Sequence, residues 1–209
     1  MIEFYEIKDV TQEDFRAAIQ IYIDSFPQNQ RLPVDLIIER VKAGTHKILV
    51  GLTENNVVSM AILHPLVKTG FVLLEYLAVH KKFRGQGVGV SFIEYIFQAF
   101  RHSNEYLIIE VDNPAFGDEK GDKIRRIRFY EKVGAVAIKD VRYLLPPLTG
   151  DIPTEMNLMI FPEYNQKIDG NLVRTIIKEI YQQVYSRNEN DKFLNSFIHD
   201  VGMSVELSK

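Results

Sequence analysis

The chain has 209 residues, 46% of them hydrophobic, which is enough to bury the core of one domain with an appendage. It contains no cysteine, so disulfides, thiolate catalysis and cysteine-ligated zinc are excluded, and a cytoplasmic location is expected. The net charge of −3 argues against general nucleic-acid binding, and no segment approaches the ~18 consecutive apolar residues of a membrane span.

The first 80 residues have the pattern of strands that alternate with helices. Thr11 begins a helix with Glu13 and Asp14 in its first turn, where acidic side chains favour the positive end of the helix dipole. Pro33 begins a second helix, which Gly44 ends. Of four predicted strands, the second and third form a hairpin. The four strands cover residues 4–10, 47–52, 57–64 and 71–79.

Helices and strands continue to alternate in the rest of the chain. A helix over residues 88–100 joins strand 71–79 to a strand at 106–111, and such a strand–helix–strand unit makes a parallel pair. A polar loop at residues 114–122 comes before the next helix, which Gly134 ends. The later predicted elements are helices over residues 123–133, 172–185 and 192–201 and strands over 136–145 and 157–161.

A glycine-rich connector follows the strand that ends Leu77-Ala78-Val79. It reads Arg84-Gly85-Gln86-Gly87-Val88-Gly89 and opens a helix, with Lys81 and Lys82 just before it. A helix start exposes unpaired N–H groups and the positive end of a dipole, and glycines let an anion approach the backbone without a Cβ in the way. Residues 84–89, which we call the glycine loop, are therefore predicted to bind phosphate.

The spacing of the glycines distinguishes between kinds of phosphate-binding loop. A Walker loop ends in Gly-Lys-Ser/Thr, whereas Gly89 is followed by Val90. A dinucleotide-binding turn needs G-x-G-x-x-G directly after the strand, and counted from Gly85 its third glycine would fall on Val90. One residue favours the dinucleotide alternative, because Glu110 lies about twenty residues downstream, where a ribose-binding acid is expected.

Two sequence blocks carry a resemblance to a known family. Arg84, Gly87 and Gly89 match the pattern Arg/Gln-x-x-Gly-x-Gly/Ala after an apolar strand that ends Leu-Ala-Val. Further along, residues 126–135 (RIRFYEKVGA) are similar to the family's C-terminal FYEK-hydrophobic-Gly helix end. The chain thus resembles the GNAT superfamily of acyl-CoA-dependent N-acyltransferases. This implies a GNAT-like α/β fold over residues 1–163, with a mixed, mostly antiparallel sheet flanked by helices, and a C-terminal helical extension over residues 164–209.

The resemblance also implies that acetyl-CoA is the acyl donor. Family members bulge the strand before the loop, so that its N–H and C=O groups pair with the pantetheine arm. The family has Asn and Ala where this chain has Lys123 and Arg126, either of which could reach phosphate instead. Arg126 could equally pair with Glu131 or with acids of the preceding loop. The residues implied in coenzyme binding are Leu77, Ala78, Val79, Arg84, Gly85, Gln86, Gly87, Val88, Gly89, Arg126 and Phe129.

Three residues are candidates for the chemistry. Amide formation from a thioester needs a neutral amine and a proton for the leaving thiolate. Glu75 and Glu110 are lone carboxylates in otherwise apolar strands, where each could take the amine proton, directly or through water, or could serve as a structural hydrogen-bond acceptor. Tyr130, a phenol with an ordinary pKa near ~10, is suited to protonate a thiolate. It also continues the apolar stripe of its helix and so fits the core.

Together, the residues and the resemblance predict acetyl transfer from acetyl-CoA to a primary amine of a small molecule or peptide by direct attack. The alternative is a non-catalytic acyl-CoA-binding or sensory module, because the glycine loop would serve binding in both cases. The histidines show no metal-ligand spacing, so no metal is expected. The apolar stripe of the 172–185 helix must be covered by its own domain or by a partner chain, as in a homodimer.

Overall fold

The computed structural model describes residues 2–101, 105–161 and 164–208. The chain divides into two compact units: unit 1 comprises Met1–Pro65 and Leu74–Ala99, and unit 2 comprises Leu66–Leu73 and Phe100–Lys209. The expected boundary between residues 163 and 164 falls beside residues 162–163, which lie outside the described residues.

Unit 1 is an antiparallel sheet with three helices. Its strands follow the order β1-β2-β3-β4, and antiparallel pairing joins β1 to β2 and β2 to β3. The helices bury one apolar face each, as when Phe92 of α3 stacks on Phe4 of β1 at a centroid distance of 5.3 Å. The elements are β1 (Glu3–Ile7), α1 (Glu13–Ser25), α2 (Val34–Lys42), β2 (Lys47–Thr53), β3 (Asn56–Leu66), β4 (Phe71–Val79) and α3 (Val88–Arg101).

Unit 2 contains a second set of antiparallel strands, in the order β5-β8-β6-β10-β9, and β7 also pairs with β8. A π-helical turn, Ile180–Val184, continues α5. The elements are β5 (Tyr106–Asp112), α4 (Lys120–Lys132), β6 (Val136–Ile138), β7 (Tyr143–Leu145), β8 (Thr154–Phe161), β9 (Lys167–Asp169), α5 (Gly170–Glu179), α6 (Lys192–Asn195) and β10 (Ser204–Ser208). These elements confirm the expected α/β class with a mostly antiparallel sheet.

The C-terminal extension shares the core of unit 2. β10 pairs with β6, and Ile176 and Tyr181 are buried in one apolar cluster with Ile108 of β5 and Leu158 of β8. The apolar stripe predicted for the 172–185 helix is therefore covered within this chain. Among the described residues, no helix combines the length and the apolar character that crossing a membrane would require.

Several predicted elements differ from the structure. The single strand expected over residues 136–145 is wrong: β6 and β7 are separate, because Asp140 has a φ of +55°, which a continuous strand does not accommodate. α4 begins at Lys120, inside the expected loop. The helix expected over 192–201 is shorter, since α6 ends at Asn195 and a 3-10 turn, Ile198–Asp200, follows it. β9 and β10 were not predicted.

Candidate functional site

The glycine loop connects β4 to α3 in unit 1, with two glycines in left-handed conformations. Gly85 and Gly87 have φ values of +77° and +81°, which residues with a Cβ rarely adopt. Residues 84–87 are exposed, and a Cβ built on either glycine would meet no atom within 4 Å. The backbone N–H groups of residues 85–90 donate no hydrogen bond within the described part of the chain. The loop therefore offers free donors at the start of a helix, as an anion site requires.

Two side chains of the loop are hydrogen-bonded to nearby backbone. Arg84 Nε donates to the Val79 carbonyl at 2.9 Å, and its NH2 group lies 3.3 Å from Ser25 Oγ. Gln86 Nε2 donates to the Lys82 carbonyl at 2.9 Å. The bonds of Arg84 connect the loop to the ends of β4 and α1. The positive charge near the loop comes from Arg84 with the exposed Lys81 and Lys82.

The end of β4 carries the three backbone groups expected to pair with the pantetheine arm. Ala78 is buried, whereas Leu77 and Val79 are partly exposed on the opposite face of the strand. The Val79 carbonyl already accepts a bond from Arg84, and the following His80 N–H donates to the Val58 carbonyl at 2.8 Å. A bulge at this point stays a prediction.

Glu75, also on β4, lies in a buried polar cluster. Its side chain is 5% exposed; Oε2 lies 3.0 Å from His46 Nε2 without the alignment of a full hydrogen bond, and Oε1 lies 3.8 Å from Arg40. His64 Nδ1 lies 3.1 Å from His46 Nδ1, and both imidazoles are buried. Four polar side chains from different parts of unit 1 thus compensate one another, which burial of a carboxylate requires.

Glu110 occupies a different environment, in unit 2. Its side chain accepts a hydrogen bond from Tyr143 at Oε1 and one from Tyr185 at Oε2, the latter at 2.8 Å. Burial and the Glu110 charge raise the pKa of Tyr143 well above its ordinary value, so this phenol stays a neutral donor. Glu110 itself is partly exposed.

Tyr130 lies on α4 in unit 2 with its ring buried against Phe129, at a centroid distance of 5.1 Å. Its hydroxyl makes no hydrogen bond to any described residue. Burial raises the pKa of Tyr130 to about 12, and the charge of Arg126 opposes this rise. Full proton transfer to a thiolate, with an ordinary conjugate-acid pKa of ~8.5, would therefore be uphill by about 5 kcal/mol.

The two basic residues that replace the family's Asn and Ala both have partners in unit 2. Arg126 NH1 lies 2.5 Å from Asp112 Oδ2 at the end of β5, so its acid partner is not Glu131 or a loop acid. Lys123 Nζ donates to the Phe116 carbonyl at 2.6 Å. Arg126 remains 56% exposed, and screening by solvent makes such an ion pair weak enough to exchange for a phosphate.

The predicted site residues therefore fall into two groups. The glycine loop, residues 77–79 and Glu75 belong to unit 1, and Glu110, Arg126, Phe129 and Tyr130 belong to unit 2. The partners of the two carboxylates were missed by the sequence analysis. His64 carried a signal, because it is a polar residue in a mostly apolar strand, as Glu75 is. Tyr185 carried none, since 75 residues separate it from Glu110. No set of three His, Asp or Glu residues arranged to hold a metal occurs in the described ranges.

Comparison with known proteins identifies the class. The model of the acetyltransferase (GNAT) family matches residues 15–135, and the chain belongs to this family. No curated protein matches it by sequence. A GNAT-family structure from Bacteroides thetaiotaomicron is similar, with a TM-score of 0.74 and 19% identity, over 88% of this chain and 98% of that one.

Two further solved structures share the fold. The ribosomal-protein-S18-alanine N-acetyltransferase from Escherichia coli has a TM-score of 0.57 and 17% identity, with coverage of 77% of this chain and 92% of the other. A GNAT family acetyltransferase from Elizabethkingia anophelis with acetyl-CoA bound has a TM-score of 0.52 and 18% identity. The match covers 76% of this chain and 96% of that one. At these identities, the likeness supports the fold alone.

Proposed function

We propose that this protein transfers an acetyl group from acetyl-CoA to a primary amine by direct attack of the amine on the thioester. The observation that carries the proposal is the glycine loop, in which two left-handed glycines open α3 beside a row of N–H groups that donate to none of the described residues. The motif in this loop is one of the two sequence blocks on which the resemblance to the family rests.

The loop fits the phosphates of the acyl donor. Its N–H groups and the helix dipole favour negative charge, and the exposed Lys81 and Lys82 add positive charge beside it. Arg84 keeps the loop in place through its bonds to Val79 and Ser25. Residues 77–79 would pair with the pantetheine arm, and Arg126 and Phe129 would contact the coenzyme from α4. The thioester supplies the activated carbonyl that the amine attacks.

The amine must lose a proton for the attack to succeed, because a lysine-like amine is charged at neutral pH. We assign this proton to Glu75 or Glu110, directly or through water. Burial of Glu75 Oε2 favours transfer through water or after a side-chain movement. Glu110 already accepts one hydrogen bond from Tyr143 and one from Tyr185. Tyr130 would donate a hydrogen bond to the thiolate as the C–S bond breaks.

A non-catalytic acyl-CoA-binding module is the second candidate. It is favoured by one specific observation: each candidate base is already held by internal partners, Glu75 by His46 and Arg40, and Glu110 by two tyrosines. Such a module would keep the glycine loop and lose turnover. We propose a cytoplasmic location for either function, because the chain contains no cysteine.

Coenzyme binding and turnover can be measured separately. Calorimetry with CoA tests the glycine loop, and release of free thiol from acetyl-CoA across a panel of primary amines tests transfer. The absence of cysteine from the chain leaves the thiol assay without protein background. We expect a Kd for CoA in the micromolar to millimolar range, and we expect thiol release to depend on an added amine. Binding without release under any amine would favour the non-catalytic module, and neither binding nor release would contradict both.

A further inference from the structure

Two buried histidines of unit 1 have no assigned step in the proposed chemistry, and one of them faces a candidate base. His46 immediately precedes β2, His64 lies in β3, and both imidazoles are buried. His46 Nε2 lies 3.0 Å from Glu75 Oε2, and the two side chains are 1% and 5% exposed. A titratable ring held this close to a buried carboxylate is placed to exchange a proton with it.

The groups around His46 indicate which of its ring nitrogens carries a proton. Arg40 NH1 lies at hydrogen-bond distance, 3.3 Å, from His46 Nε2. A guanidinium only donates, so Nε2 is the acceptor in this bond and carries no proton. The neutral ring then has its proton on Nδ1, which lies 3.2 Å from Thr45 Oγ1 and 3.1 Å from His64 Nδ1. Thr45 Oγ1 can accept this proton, because its own hydroxyl donates to the Arg40 carbonyl at 3.1 Å.

This assignment explains the unpaired oxygen of Glu75. Its Oε2 atom is buried and has no hydrogen-bond partner among the described residues, although His46 Nε2 is 3.0 Å away. The two atoms present lone pairs to each other, and a single proton placed between them would bond to both. Because an unsatisfied buried acceptor is costly, the pair favours the uptake of one added proton.

The proposed reaction releases more protons than one carboxylate can hold. A primary amine that arrives as an ammonium ion loses one proton before its nitrogen attacks the thioester and a second after the C–N bond has formed. When the C–S bond breaks, the thiolate takes one of these two protons. One proton therefore remains in each turnover, and a base that still holds the first proton cannot take the second.

We propose that His46 stores this remaining proton. Glu75 takes the first proton of the ammonium ion, directly or through water, and passes it from Oε2 to His46 Nε2. Arg40 then leaves Nε2 for Glu75 Oε1, which lies 3.8 Å from it. Glu75 is again a carboxylate and takes the second proton, which goes on to the thiolate. After the product has left, the stored proton returns through Glu75 to water.

This inference rests on the proposed function, in which Glu75 is one of two candidate bases. Glu75 exchanges protons with the amine, whereas His46 acts through Glu75 and is a positioning residue. The same arrangement gives a reason for the contact between His46 and Glu75, which in a non-catalytic module would serve stability alone.

The resting state of His46 can be measured without turnover. Protein labelled with nitrogen-15 in histidine is observed by NMR at pH 7, and the His46 signals are assigned by their loss in His46→Gln. We expect Nε2 to have the chemical shift of an unprotonated ring nitrogen and Nδ1 that of a protonated one. A proton on Nε2 in the resting protein would overturn the inference, because this nitrogen could not then accept one from Glu75.

The role of His46 in turnover is tested with two primary amines of similar size. Ethylamine is cationic at pH 7 and must lose two protons, whereas trifluoroethylamine is neutral and loses one. The variant His46→Gln keeps a donor and an acceptor at this position but cannot take up a proton. His199→Gln, which makes the same change at an exposed position of unit 2, is the matched control. Melting temperature and CoA affinity confirm that both variants fold.

We expect His46→Gln to lower kcat for ethylamine by about 100-fold, to change kcat for trifluoroethylamine much less, and to leave the KM for acetyl-CoA unchanged. His199→Gln should alter none of these values. A purely structural role of His46 would lower both rates by the same factor, so equal factors would reject the proton store alone. If the wild-type protein releases no thiol with any amine, acetyl transfer fails, and the proton store fails with it.

Discussion

Replacement of Gly87 by valine should weaken CoA binding by on the order of 10–100-fold while the chain stays folded. Gly87 has a φ of +81°, and an L-residue in this region is strained by about 1–2 kcal/mol, more for a β-branched side chain. A Cβ at this position meets no atom within 4 Å, so no packing penalty adds to the strain. If the loop relaxes to a negative φ, the N–H groups at the start of α3 lose their common direction.

The same strain can be placed elsewhere in unit 1 as a control. Gly44, which follows α2, has a φ of +72° and also has no atom within 4 Å of a built Cβ. Both Gly87→Val and Gly44→Val should therefore lower the melting temperature by about 2–8 °C, the shift expected for 1–2 kcal/mol in a chain of this size. Isothermal calorimetry with CoA then separates them, because only the Gly87 variant alters the proposed phosphate site.

The comparison has a clear adverse outcome. If Gly87→Val binds CoA as tightly as Gly44→Val does, the phosphates are not held by the glycine loop, and the assignment of residues 84–89 fails. If both variants lose affinity together with stability, general destabilisation explains the result and the loop has no special role.

Three further predictions follow from the burial of single residues. Tyr130→Phe should lower kcat with little change in the KM for acetyl-CoA, because the Tyr130 hydroxyl acts mainly in the transition state. If steady-state kinetics show that the variant keeps full activity, Tyr130 serves only as a core residue. The free energy of unfolding should fall between about pH 10 and 12, because Tyr130, with its pKa raised to about 12 by burial, keeps its proton when folded, whereas unfolded tyrosine ionises near 10. Chemical denaturation at several pH values should show that Tyr130→Phe makes the free energy of unfolding fall less steeply with pH, by up to about 1.4 kcal/mol per pH unit. An unchanged pH dependence would contradict the burial of Tyr130. Gly170→Ala should destabilise the extension by at least about 2 kcal/mol, since its Cβ would lie 1.7 Å from the Gly202 carbonyl oxygen. Gly121→Ala in α4, where a Cβ meets nothing within 4 Å, is its control, and equal melting temperatures would refute the prediction.

Elements with strong apolar periodicity could be predicted from the sequence. β4 was expected over the same residues that it occupies, and α3 differs by one residue at its end. The strong signal arises because a buried strand and an amphipathic helix each repeat a pattern over many residues. The glycine loop was equally predictable, since left-handed turns and free N–H groups need glycine at particular positions.

Short and long-range features could not be predicted. β9 has three residues and pairs with β10, some 35 residues further along the chain, so local pattern carries little information about it. The break between β6 and β7 depends on the backbone of Asp140 alone. The partners of the two carboxylates are tertiary contacts: His46 for Glu75, and Tyr185 for Glu110. Such contacts leave no periodic trace in the sequence.

The most direct test of acetyl transfer is thiol release from acetyl-CoA at a fixed concentration of wild-type protein, with and without each primary amine of a panel. Tertiary amines of matched size serve as controls, because they carry no proton that could be lost to give an amide. We expect at least one primary amine to accelerate release, its tertiary counterpart to have no effect, and Gly87→Val to reduce the acceleration. Tight CoA binding with a release rate indifferent to every amine would contradict acetyl transfer.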